Sequence, residues 1–170
     1  ERWLPECLSP TFKSGRDSVM VWGGICEHGR TPLVLVEGSM NAAIYTEMLV
    51  TTVYPEILRL FGSTQAMLYQ EDMAPPHTAI VSRQVREQLG LRCLQWIPQS
   101  PDANCIENAW DYLERRVRAI NPPHKNKVEL FKALNDAWES MPQSYFASLV
   151  RSMPRPTTAI VKGRGFPTKY

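Results

Sequence analysis

Apolar segments of two kinds alternate along this chain, and their order constrains the fold more than any other feature. Residues 18–26 and 32–37 are rich in β-formers and are joined by the turn 27–30, which predicts a hairpin. The predicted helices then cover 42–61, kinked or split at Pro55, 78–89, 106–120 and about 125–140, and the predicted short strands cover 65–70 and 91–96. The helix at 106–120 carries one apolar stripe, and residues 74–76, with their two prolines, are predicted to form a non-helical turn. A hairpin followed by alternating helices and strands indicates an α/β protein, in which functional sites collect at the carboxyl ends of strands.

The composition is that of an ordinary globular domain. The 170 residues are 44% hydrophobic and 21% charged, which predicts one domain with one sizeable core. No apolar run approaches the roughly 20 residues that a membrane helix needs, and residues 1–5 do not resemble a signal peptide. We therefore expect neither a membrane protein nor a secreted one. Residues 1–18 are predicted to form an extended arm or loop, 19–150 the core and 151–170 a basic C-terminal tail.

The cysteines are widely spaced and contain no CxxC pair. This spacing indicates neither a zinc site nor a disulfide framework, so we expect four reduced, mostly buried thiols and an intracellular protein. They are Cys7, Cys26, Cys93 and Cys105.

Two acidic residues stand where a sheet would bring them together. Asp72 ends a predicted strand, and Glu107, 35 positions later, lies in the first turn of the helix that follows the next strand. Two convergent carboxylates offer the hard oxygen ligands of Mg²⁺ or Mn²⁺, and such ions support phosphoryl transfer. Acids at these positions are also common for capping and helix-dipole reasons, so spacing alone does not decide between the two interpretations.

The sequence segments around each acid resemble the signature motifs of one family. Residues 69–79 (YQEDMAPPHTA) resemble Q-x-D-N-A-P-x-H-T-A, and residues 96–110 (WIPQSPDANCIENAW) resemble W-P-x-x-S-P-D-L-N-P-I-E-N-x-W. Both are signatures of mariner-superfamily transposases, which residues 18–23, 37–41 and 165–170 also resemble. The 34 residues between the two acids are typical of the Tc-one branch of that family.

The resemblance implies a ribonuclease-H-like fold, a mixed sheet flanked by helices, here without its first strand. It also implies a catalytic Asp, Asp and Glu, with Asp72 matching the second and Glu107 the third. The first Asp is expected outside this chain, because in the family it lies on the opening strand, upstream of the residues that match Glu1 onward. The role is not assigned to Asp17, which is predicted at a loop position before the second strand. The implied function is DNA cleavage and strand transfer with Mg²⁺ or Mn²⁺, and we expect the fragment to be inactive alone. The implied partners are the transposon terminal repeats, target DNA and a second subunit, in the nucleus or nucleoid.

Basic residues are the candidates for DNA contact. The net charge of +2 is too small to require a nucleic-acid partner, but the last twenty residues hold five basic side chains and no acidic one. The candidates are His77, Arg115, Arg116, Arg118, Lys162, Arg164 and Lys169. His77 could instead contact a metal-bound water or fix its turn through a backbone hydrogen bond, and the arginines could lie on a solvated helix face.

Several neighbouring residues are predicted to have structural roles. Glu71 is expected to be solvated, because it would point to the opposite face of its strand from Asp72. Trp110 is expected in the core, Asn104 as a helix N-cap, and the pair 23–24 at a strand end with close backbone packing.

Two rival functions remain open at this point. A transposase-derived remnant, or one adopted by its host, would bind DNA or another protein without catalysis, and the missing first Asp supports it. A ribonuclease-H-like nuclease that acts on hybrids would use the same metal ions as a transposase, but it would not contain these sequence motifs.

Overall fold

The computed structural model describes residues 11–14, 17–72, 74–93, 104–120 and 125–153. Its contacts divide the chain into two units. The helical unit comprises Glu1–Leu8 and Ser39–Gln99, and the sheet unit comprises Ser9–Gly38 and Ser100–Tyr170. The domain boundaries predicted at residues 18 and 150 remain predictions.

An antiparallel sheet of three strands is the base of the sheet unit. Strand β2 (Asp17–Trp22) lies between β1 (Thr11–Ser14) and β5 (Val34–Val36). Asp17 therefore begins a strand, opposite Ser14, and does not lie in the predicted loop. A small hairpin of β3 (Ile25–Cys26) and β4 (Gly29–Arg30) connects β2 to β5. The predicted hairpin is thus confirmed, with Met20 opposite Val36 in its register.

The first strand differs from the arm predicted for residues 1–18. Thr11–Ser14 pairs antiparallel with β2 and buries Phe12, while Thr11 and Lys13 are exposed. This alternation is that of a half-buried strand, but four residues are too few to show it among the prolines and polar residues nearby. Residues 1–10 lie outside the described part of the chain.

Three helices complete the sheet unit: α5 (Ile106–Arg118), α6 (Lys127–Ser140) and α7 (Gln143–Ser152). The apolar stripe predicted for α5 is confirmed, because its buried residues recur at helical spacing along one face. The core of the unit consists of Phe12, Val19, Val21, Leu33, Ala109, Trp110, Leu113, Val117, Leu130, Leu134, Ala137, Trp138, Met141 and Phe146. The predicted core position of Trp110 is therefore confirmed.

The helical unit opens with a long helical stretch in three parts. Helix α1 (Ala42–Met48) begins at Asn41, whose side chain accepts a hydrogen bond from the Ile44 amide. A π-helical turn, Leu49–Val53, leads into α2 (Tyr54–Phe61). Pro55 has no N–H for the carbonyl four residues earlier, and the wider turn accommodates this loss. The helix predicted over 42–61, interrupted near Pro55, is confirmed.

The next segments are less regular than predicted. A 3-10 turn (Thr64–Ala66) and a single parallel bridge between Tyr69 and Cys93 stand where strands 65–70 and 91–96 were expected. Residues 94–103 are not described. Two helices follow the acidic residues: α3 (Pro75–Thr78) and α4 (Ile80–Gln88).

Helix formation after the acids begins earlier than predicted. The two prolines were expected to force a non-helical turn, but they occupy the first positions of α3. Those positions suit proline, because the first N–H groups of a helix have no intrahelical partner.

The cysteines that the structure describes are free, but they are not buried as predicted. Cys93 is exposed, and Cys26 and Cys105 are partly exposed. None of the described helices combines the length and apolar character needed to cross a bilayer.

Candidate active site around Asp72

The segment that carries Asp72 is anchored just before the acid. The Tyr69 amide donates to the Arg92 carbonyl at 2.8 Å, next to the parallel bridge with Cys93. Asp72 therefore follows a strand-like contact by three residues. This agrees with the predicted position at a strand end, although the strand is reduced to one bridge.

The Asp72 carboxylate is held on one side and partly exposed. Its Oδ1 accepts from the Ala74 amide at 3.1 Å and lies 2.7 Å from Nδ1 of His77. Its Oδ2 has no hydrogen-bond partner among the described residues, and the side chain is 26% exposed. One oxygen is thus fixed by the protein while the carboxylate still reaches solvent.

His77 is buried beneath Asp72. The residue is 5% exposed, its ring lies 4.3 Å from that of Tyr45, and Nδ1 is also 3.3 Å from the Asp72 carbonyl oxygen. Nε2 is buried and has no partner in the described part of the chain. These contacts fit the predicted role of fixing the turn at Asp72, and contact of His77 with DNA or with a metal-bound water stays a prediction.

Glu71 is not solvated, so that prediction is wrong. Its side chain is 12% exposed and pairs with Nη1 of Arg86 at 2.6 Å, and it accepts a hydrogen bond from the Tyr45 hydroxyl. Burial raises the pKa of the Glu71 carboxyl, and the hydrogen bond from Tyr45 opposes that rise. Burial also raises the pKa of the Tyr45 hydroxyl, which keeps it protonated as a donor.

The sequence contained a signal for the Glu71–Arg86 pair, but this signal did not show which face of α4 is buried. Ser82 and Arg86 are four positions apart in α4, so they share one helix face. The polar face is the buried one, and it carries the partner of Glu71.

Glu107 occupies the first turn of α5, as predicted. Its side chain is partly exposed, and its amide donates to the Asn104 carbonyl at 3.2 Å. The Asn104 side chain accepts from the Ile106 amide at 3.4 Å, but the N-cap of α5 is Cys105 and not Asn104 as predicted, because the helix begins one residue later. Asp72 belongs to the helical unit and Glu107 to the sheet unit, and their convergence remains a prediction.

The arginines of α5 lie on its exposed surface. Arg115 pairs with Asp111 at 2.8 Å, and Arg118 pairs with Glu114 at 2.6 Å. The Arg116 guanidinium lies 5.7 Å from the centre of the Tyr112 ring. The solvated-face interpretation fits these contacts, and contact of these arginines with DNA stays a prediction. Lys162, Arg164, Lys169 and Asp102 are outside the described residues.

The chemistry of the two acids suits a divalent cation. Mg²⁺ and Mn²⁺ prefer carboxylate oxygens and usually retain several waters, so one or two protein carboxylates can hold them. Within the described residues, no group of three or more His, Cys, Asp or Glu side chains could hold a metal ion. Each of the two carboxylates thus has the donor chemistry of such a ligand, and a metal site that they share stays a prediction.

Comparison with known proteins shows the family. A family model described as DDE superfamily endonuclease matches residues 10–131. The chain therefore belongs to this family of endonucleases. The transposable element Tcb1 transposase of Caenorhabditis briggsae is 34% identical over 169 residues, which cover 99% of this chain and 60% of that protein. The chain thus spans about three fifths of the length of this relative.

Solved structures show the same fold. The Mos1 transposase catalytic domain, in a structure with raltegravir and Mg, matches with a TM-score of 0.80 at 16% identity, over 95% of this chain and 83% of that one. A Mos1 transposase paired-end complex with the left transposon end matches with a TM-score of 0.79 at 16% identity, over 99% of this chain and 52% of that one. The predicted ribonuclease-H-like fold is confirmed.

Proposed function

We propose that this chain is the catalytic part of a DNA transposase that cleaves DNA strands and transfers them to a target in a metal-dependent reaction. The observation that carries the proposal is the state of Asp72. Its carboxylate is oriented by His77 and Ala74, and one oxygen has no partner among the described residues. Membership of the DDE endonuclease family supports this role for the acid.

Asp72 and Glu107 would hold Mg²⁺ or Mn²⁺ together with a first Asp from outside the chain. When bound, the ions would supply activation of the attacking oxygen and stabilisation of the leaving oxygen of a phosphodiester. The chain itself contributes the placement of the ligands. His77 keeps Asp72 in one orientation, and Asn104 helps fix the start of the helix that carries Glu107. The Mg in one Mos1 structure supports this choice of cation.

DNA would be the substrate and the principal partner. The Mos1 complex with a transposon end supports binding of terminal repeats, and target DNA and a second subunit are part of the same proposal. Arg115, Arg116 and Arg118 would contact phosphates by charge, as would the basic residues of the tail. Activity on chromosomal DNA would place the protein in the nucleus or nucleoid.

A manganese titration tests the metal site directly. Mn²⁺ broadens the NMR signals of nearby nuclei, so amides around Asp72 and Glu107 are expected to broaden at millimolar concentrations. Asp72→Asn should remove the effect, because the amide lacks the charge that the ion requires. Asp111→Asn, an exposed acid of α5, is the matched control and should leave it unchanged. Equal responses of the wild type and Asp72→Asn would refute the proposed site.

Catalysis is tested with the first Asp supplied. Joined to an upstream segment that contains this residue, the chain is expected to nick DNA carrying its terminal repeats in Mg²⁺. Asp72→Asn and Glu107→Gln should each abolish nicking. DNA binding that persists without any Asp72-dependent response to metal would instead support the non-catalytic remnant.

A further inference from the structure

Helix α4 buries its polar face. Ser82 and Arg86 are 0% and 7% exposed, whereas Ile80 and Val81 in the same helix are 68% and 45% exposed. An arginine is rarely buried unless it is paired, since removing its charge from water is costly. The orientation of α4 therefore depends on the partners of its polar residues.

Those partners are the backbone and side chains around Asp72. The Ser82 hydroxyl donates to the Pro76 carbonyl at 2.5 Å. Nη1 of Arg86 donates to the His77 carbonyl at 2.9 Å and pairs with the Glu71 carboxylate at 2.6 Å. One nitrogen atom thus links the residue before Asp72 with the histidine that holds its Oδ1.

Tyr45 connects α1 to the same residues. Its hydroxyl donates to Glu71, and its ring lies against that of His77. The turn at Asp72 is therefore fixed through Glu71 and through His77, and Arg86 contacts both of these residues. Loss of Arg86 would remove a hydrogen-bond partner from Glu71 and from His77 at once.

Stability alone does not account for this arrangement. A buried ion pair gains little over a well-packed apolar pair, because desolvation offsets the attraction between the charges. Residues that orient metal ligands through hydrogen bonds, in contrast, typically change metal affinity when they are replaced.

We propose that Arg86 is a positioning residue for Asp72, which it orients through the Glu71 carboxylate and the His77 carbonyl. The proposal rests on the proposed function, in which Asp72 binds a divalent cation. It extends that function to a residue 14 positions away in sequence that touches no metal ligand directly.

The test compares Mn²⁺ affinity in matched variants of the whole chain. Arg86→Met removes the donors but leaves Glu71 buried without its partner, which alone could unfold the unit. The double variant Glu71→Gln/Arg86→Met removes both charges and avoids that penalty. Arg86→Lys keeps a donor and a charge. Arg83→Met, an exposed arginine of the same helix, is the control.

We expect the double variant to unfold at a temperature close to that of the wild type but to bind Mn²⁺ about 10-fold more weakly or worse, the lower end of such effects. The Nδ1 resonance of His77 should also shift as its hydrogen bond to Asp72 weakens. Arg86→Lys should recover part of the affinity, and Arg83→Met should bind as the wild type does.

Two different failures can be told apart. Wild-type affinity and an unshifted His77 resonance in the double variant would overturn the role of Arg86 and leave the metal site intact. Absence of Asp72-dependent Mn²⁺ binding in the wild type would overturn the proposed function, and this inference with it.

Discussion

Replacing Gly23 with alanine is expected to destabilise the sheet unit. A Cβ at this position would lie 3.1 Å from Cη2 of Trp110 and 3.2 Å from Cζ2 of Trp138. Carbon atoms in unstrained contact are about 3.5–4.0 Å apart. The two indole rings stack with their centroids 5.4 Å apart, and Trp138 is fully buried. Neither ring can withdraw without disturbing the packing around it.

The expected magnitude follows from two opposing effects. Overpacking a core costs about 1–3 kcal/mol. Restricting the unfolded chain at a former glycine returns about 0.4–1 kcal/mol. The net loss is about 1 kcal/mol, which lowers the midpoint of thermal unfolding by about 2–4 °C in a chain of this size.

Urea unfolding followed by tryptophan fluorescence measures this loss, and a double-mutant cycle identifies its cause. Trp110→Phe removes the Cη2 atom that the new methyl group would meet. Gly23→Ala should therefore cost less in the Trp110→Phe background than in the wild type. An alanine variant as stable as the wild type, or a cost that is the same in both backgrounds, would refute the close-packing explanation.

Three further outcomes are expected. Trp138→Phe removes the donor to the Thr31 carbonyl, a 2.9 Å bond, and should cost about 1–3 kcal/mol in urea unfolding; an unchanged midpoint would contradict this. Cys105 is partly exposed, but the partial burial of its thiol raises the pKa to about 11, so its thiolate fraction near neutral pH is about 100-fold below that of an ordinary thiol. Mass spectrometry should show slow alkylation of Cys105 in the folded chain, and a rate equal to that in urea would disprove it. The hydrogen bond and charge of Arg151 lower the pKa of Glu27. The pair therefore stabilises the fold above the ordinary carboxyl pKa of 4.5, and this contribution disappears as the pH falls through the lowered value. In Arg151→Gln, NMR titration should move the Glu27 pKa back up, and an unchanged pKa would count against the pair.

Local pattern was sufficient for the elements that depend on near neighbours. The β2–β5 hairpin and the buried stripe of α5 follow from periods of two and 3.6 residues. The core position of Trp110 follows from residue type and spacing along one helix. The sequence motifs around the two acids were enough to identify the family, and the family implied the fold.

Elements that depend on distant residues were predicted less well. Strand β1 exists because four residues pair with β2, which a short segment does not show by itself. The burial of Glu71 required a partner 15 positions away, on the polar face of α4. Periodicity indicated which residues share a helix face, but not which of two faces the rest of the chain would cover.

The sequence by itself therefore determined the hairpin, the apolar stripe of α5 and the two acids that resemble those of transposases. These depend on covalent spacing and residue chemistry. Only the tertiary structure decided that His77 is buried against Asp72 and that Arg86 links Glu71 to His77. Those contacts exist because long-range packing offset the cost of burying charged and polar groups, and no local pattern records that balance.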